Sequence, residues 1–457
     1  MPRTRKSIHG QWSSRWAFIL AATGSAVGLG NIWRFPYITG EHGGGAFVLV
    51  YILCIIGLGI PILMSEVMLG RRGRQSPINT MRTLSEEEGA SRYWQYLGWM
   101  GVLAGFLILS FYSVVGGWTM AYVVRSVGGT FAGVTATDTT NIFNNLVSDP
   151  ERLLAWHTLF MVLTTIVVAR GVQHGLEKAV RFLMPALFVL LLIMVGYSLS
   201  TAAFTQAVHY LFTPDFSNLQ ADDFLVALGQ AFFSLSLGMG AIMIYGSYLP
   251  AKASISRTAV TIAFMDTMIA IFAGLAIFPL VFSYGLEVGQ GTGLIFQTLP
   301  IAFGQMPYGT LFGTLFFVLL MFAAWTSSIS LLEPAVAWLA ENRDMRRVNA
   351  AIIAGIIAWV MGVGSLLSFN LLSDNKLFGK TFFELVEYLT TNIMLPLGGL
   401  LTAVFAAWIM KRMSSTEELD IGDGLGYRLW LLATRYLAPA GVTVIFLQAI
   451  GIINLGS

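Results

Sequence analysis

The chain has 457 residues, of which 56% are hydrophobic and 11% are charged, and its formal net charge is +2. With a mean hydropathy of +0.72, it is too apolar for a soluble protein of this size and is predicted to be an integral membrane protein. The single cysteine, Cys54, excludes a disulfide framework and a thiolate metal site. The basic residues 1–12 precede a long hydrophobic segment rather than a short apolar core with a cleavage site, so we expect no cleaved signal peptide.

Eleven segments are apolar and long enough to cross a membrane, which takes roughly 20 residues. The predicted spans are 13–38, 44–70, 93–127, 155–170, 179–201, 223–248, 257–284, 309–340, 348–370, 382–410 and 427–453. We expect segment 128–154 to be a polar loop and segment 285–308 to be a long outer loop with short helices. The fold class is therefore predicted to be all-α.

Lysine and arginine are concentrated in alternate loops. Arg71, Arg72 and Arg74 follow the second span, for example, whereas segment 285–308 contains no cation. Because short cytoplasmic loops carry the excess of positive charge, we expect a multi-pass protein of the plasma (inner) membrane. Its N-terminus is predicted to be cytoplasmic and its C-terminus to lie outside.

The first span is interrupted near its middle by small and polar residues, which are Gly24, Ser25, Gly28, Gly30 and Asn31. An unpaired backbone group in hydrocarbon costs several kcal/mol, so such a break is tolerated only where it lines a protein cavity. A broken helix at this depth is typical of secondary transporters. The alternative is that the Gly-x-Gly pattern merely allows close packing of helices.

The sixth span contains a second interruption of the same kind, Ser234-Leu-Ser236-Leu-Gly238-Met-Gly240. The two interruptions lie five spans apart, so the second copy is predicted to be inverted relative to the first. The expected organisation is a cytoplasmic N-terminus (1–12), a first five-span repeat (13–201), an outer linker (202–222), a second five-span repeat (223–410), a cytoplasmic loop (411–426) and an eleventh span with the C-terminus (427–457).

Ionisable and hydroxyl side chains inside the predicted spans are further candidates for function, because such residues are costly in a membrane. We expect Glu66 to hold unwound backbone and Glu333 to satisfy a backbone amide near Pro334. In the eighth span, Thr326-Ser-Ser328 places three hydroxyls together, and oxygen ligands suit Na⁺. The alternative is that these hydroxyls bond back to carbonyls of their own helix.

Several motifs resemble those of the neurotransmitter:sodium symporter family, which has the LeuT fold. The main one is Ser25-Ala-Val-Gly-Leu-Gly-Asn-Ile-Trp-Arg-Phe-Pro-Tyr37. The others are Gly43-Gly-Gly-Ala-Phe47, Pro61-Ile-Leu-Met-Ser-Glu66, Gln230-Ala-Phe-Phe-Ser-Leu-Ser-Leu-Gly238, Gly293-Leu-Ile-Phe-Gln-Thr-Leu-Pro300 and Thr326-Ser-Ser328. The resemblance implies two inverted five-helix repeats with broken helices 1 and 6, plus helix 11. It also implies a bacterial-type, sodium-coupled amino acid symporter.

The same resemblance implies specific site residues. The first sodium site would use the carbonyl of Ala26, the side chains of Asn31, Ser234 and Asp266, and the substrate carboxylate. The second would use the carbonyls of Gly24, Val27 and Ala323 with the hydroxyls of Thr326 and Ser327. The substrate would be bound by Ala26, Gly28, Gly30, Ile108, Tyr112, Phe233, Ser234, Ser236, Met239, Ser327 and Leu331. The outer gate would be formed by Arg34 and Glu387, with Glu384 as the second candidate for the acidic partner.

Two departures from the family pattern carry predictions. Asp266 stands where many members have asparagine, so its negative charge is expected to replace the chloride that some members bind near Tyr51, Gln230 and Ser234. His9 stands where an arginine is usual, which leaves the inner-gate partner of Glu341 open.

Gly28 stands where monoamine carriers of the family have aspartate, so an α-amino acid, which brings its own carboxylate, is the favoured substrate. The predicted lining is apolar, and we therefore expect chloride-independent import of hydrophobic L-amino acids by alternating access. The alternative is a non-transporting amino acid sensor or a sodium-permeable channel of the same fold. An enzyme is not expected, because the five histidines lie at span ends or in loops and no His-Glu-x-x-His motif occurs. The expected partners are the amino acid and the lipid bilayer, with no nucleic acid and with the oligomeric state open.

Overall fold

The structure, a computed structural model, describes residue 5 and residues 7–286, 293–343, 345–422, 424–449 and 452–453. The described chain is almost entirely helical, which confirms the predicted all-α class. Residues 287–292 of the predicted outer loop 285–308 and residues 450–451 of the predicted eleventh span lie outside the described residues.

Nine unbroken helices of the described chain are long and apolar enough to cross a membrane. Numbered by the predicted spans, they are span 2 (Gly45–Gly73), span 3 (Arg92–Val127), span 4 (Pro150–Ala169), span 5 (Val172–Ser198), span 7 (Ile255–Ser283), span 8 (Gly309–Asn342), span 9 (Arg347–Leu367), span 10 (Phe382–Ile409) and span 11 (Leu425–Gln448). Each corresponds to one of the segments predicted from hydropathy.

The two remaining predicted spans are broken. Span 1 consists of Arg15–Ala26 and Gly30–Glu41, which meet at a bend of 53°. Span 6 consists of Ala221–Ser234 and Ala241–Ser247, separated by six irregular residues. Both breaks therefore fall on the Gly- and Ser-rich motifs where the sequence predicts them.

The segment 128–154, predicted to be a loop, contains the helix Ala136–Val147. Thr135 begins this helix with a capping box, in which Asp138 accepts a hydrogen bond of 2.9 Å from the Thr135 backbone N–H. The Thr-x-x-Asp signature was available in the sequence, but the polar composition of the segment hid it. Span 4 also begins at Pro150, five residues before the predicted start, because its first turn is polar and is capped by Asp149.

Other short helices lie in the connections. Phe204–Phe212 occupies the predicted outer linker, Leu299–Gln305 lies in the predicted outer loop, and Arg412–Leu419 follows span 10.

Close packing of span 2 against the second half of span 6 depends on glycine. A Cβ added to Gly70 would lie 1.9 Å from the carbonyl oxygen of Met243, and one added to Gly246 would lie 2.9 Å from that of Val67. Small residues at helix contacts in membranes allow backbones to approach in this way. Span 2 thereby holds the second half of span 6 close to the centre of the bundle, where spans 1, 3 and 8 also meet.

Candidate functional site

The break in span 1 leaves backbone groups that helical bonding does not satisfy. Val27 has an extended conformation (φ −71°, ψ 103°), and the helix resumes at Gly30. The freed groups bond to neighbouring spans: the Leu29 N–H donates to the Tyr112 hydroxyl (2.9 Å), and the Ser25 carbonyl accepts from the Ser236 hydroxyl (2.9 Å). The break is thus stabilised by side chains of spans 3 and 6.

The break in span 6 contains three residues with positive φ at alternate positions, namely Ser236 (55°), Gly238 (81°) and Gly240 (73°). Glu66 of span 2 accepts a hydrogen bond from the Gly238 backbone N–H at 2.6 Å. This contact confirms the prediction that Glu66 holds unwound backbone. A side chain at Gly238 would collide with span 10, since an added Cβ would lie 2.4 Å from the carbonyl oxygen of Leu395.

A buried polar cluster lies between spans 1, 6 and 7. The Asn31 amide donates to the Asp266 carboxylate (2.8 Å) and to the Asp266 carbonyl (3.1 Å). The Ser234 hydroxyl donates to the other carboxylate oxygen (2.9 Å) and lies 3.0 Å from the Tyr51 hydroxyl. Gln230 donates to the carbonyl of Gly30 nearby (2.9 Å). The three side chains predicted for the first sodium site are therefore adjacent, and Ala26 borders the neighbouring cavity.

The three hydroxyls of span 8 differ in what they contact. Thr326 and Ser328 bond back to carbonyls of their own helix, Thr326 to Phe322 and Ala323 (both 3.1 Å) and Ser328 to Ala324 (2.9 Å). For Thr326 and Ser328 the structure therefore agrees with the alternative interpretation of the sequence, in which these hydroxyls bond back to carbonyls of their own helix. Ser327 instead crosses to span 1 and donates to the carbonyls of Ser25 (3.2 Å) and Val27 (3.4 Å).

The residues predicted for the second sodium site all lie at this contact between spans 1 and 8. A Cβ added to Gly24 would lie 3.4 Å from the Cβ of Thr326. The carbonyls of Val27 and Ala323 already accept hydrogen bonds from Ser327 and Thr326. The predicted site consists of carbonyl and hydroxyl oxygens and includes no carboxylate.

A small cavity of ≈ 20 Å³ lies between the two breaks. Its lining residues are Ser25, Ala26, Gly28, Gly30, Ile108, Tyr112, Phe233, Ser236, Met239, Ser327 and Leu331. Ten of these are the residues predicted to bind substrate; the eleventh predicted residue, Ser234, belongs to the Asp266 cluster instead, and Ser25 was missed. A cavity of this volume accommodates about one water molecule, so a larger occupant requires the lining to move apart.

Glycine is required at two positions of this cavity. A Cβ added to Gly28 would lie 2.5 Å from both the Ser327 and the Tyr112 hydroxyl oxygens, and one added to Gly30 would lie 2.8 Å from the Phe233 ring. Any side chain at these positions would fill the cavity or displace its walls.

A larger cavity of ≈ 390 Å³ lies beside it, toward the end of the bundle opposite the N-terminus, and Tyr112 and Phe233 line both cavities. Arg34 and Glu387 both border the larger cavity, but they form no ion pair in the described part of the chain. The Arg34 guanidinium instead lies over the Phe233 ring, 4.9 Å from its centroid. Glu384 caps its own helix by accepting from the Thr381 N–H (2.8 Å), which leaves Glu387 as the better placed partner for Arg34.

The end of the bundle that carries the N-terminus is closed. His9 Nε2 lies 3.0 Å from a carboxylate oxygen of Glu341, which gives Glu341 the partner that the sequence left open. Glu341 also accepts from the Ser76 backbone N–H and the Asn79 amide, both at 2.7 Å. The Trp12 indole N–H donates to the Tyr245 carbonyl (3.0 Å) and is almost fully buried.

The prediction for Glu333 was wrong. Glu333 accepts from the Tyr248 hydroxyl (2.6 Å) and forms an ion pair with Arg347, rather than satisfying an amide near Pro334. Pro334 lies inside the continuous helix of span 8, and Arg347 begins span 9, so the partner is 14 residues away. This pairing across a turn between two spans has no local signature in the sequence.

Comparison with known proteins places these features in a family. The model of the sodium:neurotransmitter symporter family matches residues 9–149 and 145–456. The uncharacterized sodium-dependent transporter YhdH of Bacillus subtilis is 39% identical over 447 residues, covering 97% of this chain and 98% of the relative. The chain belongs to the sodium:neurotransmitter symporter family.

A solved structure agrees in fold. The crystal structure of MhsT in complex with L-phenylalanine matches with a TM-score of 0.89 and 42% identity, covering 96% of this chain and 99% of that one. The creatine transporter of Torpedo marmorata is 24% identical over 92% of this chain. This membership and the structural match confirm the LeuT fold, and the chain is a multi-pass sodium-dependent transporter rather than an enzyme.

The contact between Glu66 and Gly238 generates a prediction about stability. Glu66→Leu removes the acceptor and leaves a buried N–H unpaired, so we expect it to lower the free energy of unfolding by ~1–3 kcal/mol. Glu66→Gln keeps an acceptor oxygen and should unfold close to the wild type. Thermal unfolding of the purified protein in detergent measures both, and equal midpoints for the Leu and Gln variants would show that the hydrogen bond is not what stabilises the break.

Proposed function

We propose that this sodium-dependent transporter imports hydrophobic L-amino acids together with two Na⁺ by alternating access, without chloride. The observation that carries the proposal is the cavity bordered by both helix breaks, by apolar side chains and by Ser327, beside the Asp266 cluster. The relative crystallised with L-phenylalanine supports the substrate class.

The ends of the cavity suit the two charges of an α-amino acid. The substrate carboxylate would lie near Gly28, the Tyr112 hydroxyl and the first Na⁺, where the second half of span 1 begins and its dipole favours an anion. The ammonium group would be bound by carbonyl dipoles near Ala26, Phe233 and Ser236. Ile108, Met239 and Leu331 would contact the side chain, and Met239 can adapt to different shapes because it is unbranched and flexible.

Two features support coupling to sodium. Ser234 and Asp266 present oxygens at one point between three spans, and the Asn31 amide contacts the same carboxylate through its NH₂ group. Carboxylate, hydroxyl and amide oxygens are the ligands that a hard cation takes. A second cation between spans 1 and 8 would join the same broken helix to a continuous one through Ser327.

The two ends of the bundle support alternating access rather than a continuous pore. The larger cavity leads toward Phe233, whereas the N-terminal end is closed by the contacts of Trp12 and Glu341. In the orientation expected from the positive loops, the closed end is cytoplasmic. The structure then represents a conformation in which substrate would enter from outside past Arg34 and Glu387.

Uptake into proteoliposomes tests the proposal. With an inward Na⁺ gradient we expect accumulation of L-phenylalanine above its external concentration, and an inside-negative potential should raise it because each charge moved is worth ~2.3 kcal/mol per 100 mV. Equal accumulation with Na⁺ replaced by choline would refute sodium coupling. Saturable binding without accumulation would favour a sensor, and collapse of the Na⁺ gradient without accumulation would favour a channel.

Ser327 and Ser328 form a matched pair for testing the second sodium site. Both are buried hydroxyls of span 8, but only Ser327 faces span 1. Ser327→Ala should weaken apparent Na⁺ affinity by roughly 5- to 150-fold, the effect of ~1–3 kcal/mol for a lost buried polar ligand, whereas Ser328→Ala should leave it near the wild-type value. Titration of uptake against Na⁺ measures both, and similar Na⁺ affinities for the two variants would remove Ser327 from the site.

Asp266 generates the prediction about anions. Two Na⁺, the substrate carboxylate and the Asp266 carboxylate balance without chloride, so uptake by the wild type should be equal in chloride and in gluconate. Asp266→Asn removes the charge, and with Tyr51, Gln230 and Ser234 in place it should lose uptake in gluconate and recover part of it in chloride.

Two results would contradict these predictions about Asp266, each for a different reason. Failure of the wild type in gluconate would show that Asp266 does not substitute for chloride. Wild-type activity of Asp266→Asn in gluconate would show that this carboxylate is not needed for charge balance.

A further inference from the structure

Span 11 carries an arginine, Arg435, that the transport site does not use. It is the eleventh residue of the helix Leu425–Gln448, about 15 Å along it at 1.5 Å per residue. In the part of the chain that the structure describes, Arg435 forms no ion pair with a carboxylate, and its Nε is buried without a hydrogen-bond acceptor. A charged side chain inside a span is costly and commonly marks a function.

The guanidinium of Arg435 is held against aromatic rings instead. It lies 4.2 Å from the centroid of the Trp408 indole and 5.8 Å from that of the Tyr436 ring. Both rings face outward, with 51% of Trp408 and 59% of Tyr436 exposed, so this cation lies at the surface that meets the lipid. Cation–π contacts orient the guanidinium but do not neutralise its charge.

The backbone of span 11 builds this arrangement. Pro439, four residues after Arg435, has no N–H to donate to the Arg435 carbonyl. The Trp408 indole N–H donates to that carbonyl at 3.1 Å. Pro439 thus leaves the Arg435 carbonyl without a helical donor. This carbonyl then holds the Trp408 indole beside the Arg435 guanidinium.

The contact with Trp408 places the Arg435 carbonyl level with the end of span 10, where a span meets the lipid headgroups. Trp408 is the next-to-last residue of span 10, and the cations Lys411 and Arg412 follow directly. Helical side chains lean toward the N-terminus of their helix, which for span 11 is the same end, so Arg435 can extend its charge toward the interface. Tryptophan and tyrosine are enriched at that level of membranes.

We propose that Arg435, Trp408 and Tyr436 form a binding site for the phosphate of an anionic phospholipid in the leaflet on the N-terminal side of the bundle. The guanidinium would bind phosphate oxygens through paired N–H donors. The exposed side chains Leu437 and Val444, which follow Arg435 toward the middle of the membrane, would contact the acyl chains. The leaflet is cytoplasmic in the orientation proposed above, but the site depends neither on that orientation nor on the transported substrate.

Lipid binding to the full-length protein in detergent tests the site. Native mass spectrometry and thermal unfolding are compared with added phosphatidylglycerol and phosphatidylcholine of identical acyl chains. The wild type should retain phosphatidylglycerol preferentially and unfold at a higher temperature with it. Arg435→Gln should reduce the bound-to-free ratio for phosphatidylglycerol by about tenfold or more, the effect of losing a charge-assisted donor pair, and should abolish the preference.

Arg257→Gln is the matched control, because Arg257 is an exposed cation at the start of span 7 and should keep the preference. If Arg435→Gln does not fold, Trp408→Leu replaces it and should also weaken phosphatidylglycerol binding. Glycerophosphate and inorganic phosphate are added separately: stabilisation equal to that by the lipid would assign the site to a free anion and overturn the lipid proposal. Equal effects of both lipids on the wild type would also overturn the lipid proposal. The same holds if the wild type is a dimer that dissociates in Arg435→Gln and neither protein prefers one lipid.

Discussion

Backbone groups freed by the two helix breaks must be bonded within the bundle, because hydrocarbon offers them no partner. The side chains that bond these freed groups determine how the residues around the two breaks are arranged. Glu66 bonds the amide of Gly238, Tyr112 bonds that of Leu29, and the Ser25 carbonyl receives hydroxyls from two other spans. Each of these contacts joins a broken helix to a different span. The breaks are therefore held in place by Glu66 from outside the cavity and by Tyr112, Ser236 and Ser327, which also line the cavity between them.

The two ends of the bundle are stabilised differently. At the N-terminal end, Glu341 has four partner atoms on three residues and Glu333 forms an ion pair with Arg347. At the opposite end, Arg34 borders an open cavity and lies against the Phe233 ring without an ion pair in the described chain. Separating buried, hydrogen-bonded charged groups costs more than separating a cation from an aromatic ring beside a cavity. We infer that the conformation closed at the N-terminal end is the more stable one when no ligand is bound.

Hydropathy and small-residue motifs were sufficient to predict the nine continuous spans and both breaks, because burial and backbone freedom leave local signals. The ten cavity-lining residues were instead implied by the resemblance to the family. Pairings between distant residues leave none. The Glu333–Arg347 ion pair was missed since nothing near Glu333 indicates its partner, and the helix Ala136–Val147 was missed since its composition is polar. The cluster of hydroxyls in span 8 was visible in the sequence, but only the geometry separates Ser327 from its two neighbours.

The different contacts of Ser327 and its two neighbours determine how a cation at this position could change the conformation. A ligand shifts an equilibrium only by binding one state more tightly than the other. Thr326 and Ser328 bond within span 8 whichever way span 1 moves, whereas Ser327 bonds span 1 itself at the carbonyls of Ser25 and Val27. A cation between these carbonyls and Ser327 would gain its ligands only while the first half of span 1 lies against span 8. We infer that a Na⁺ bound at the proposed second site would stabilise this contact, and that its release would accompany the departure of the first half of span 1.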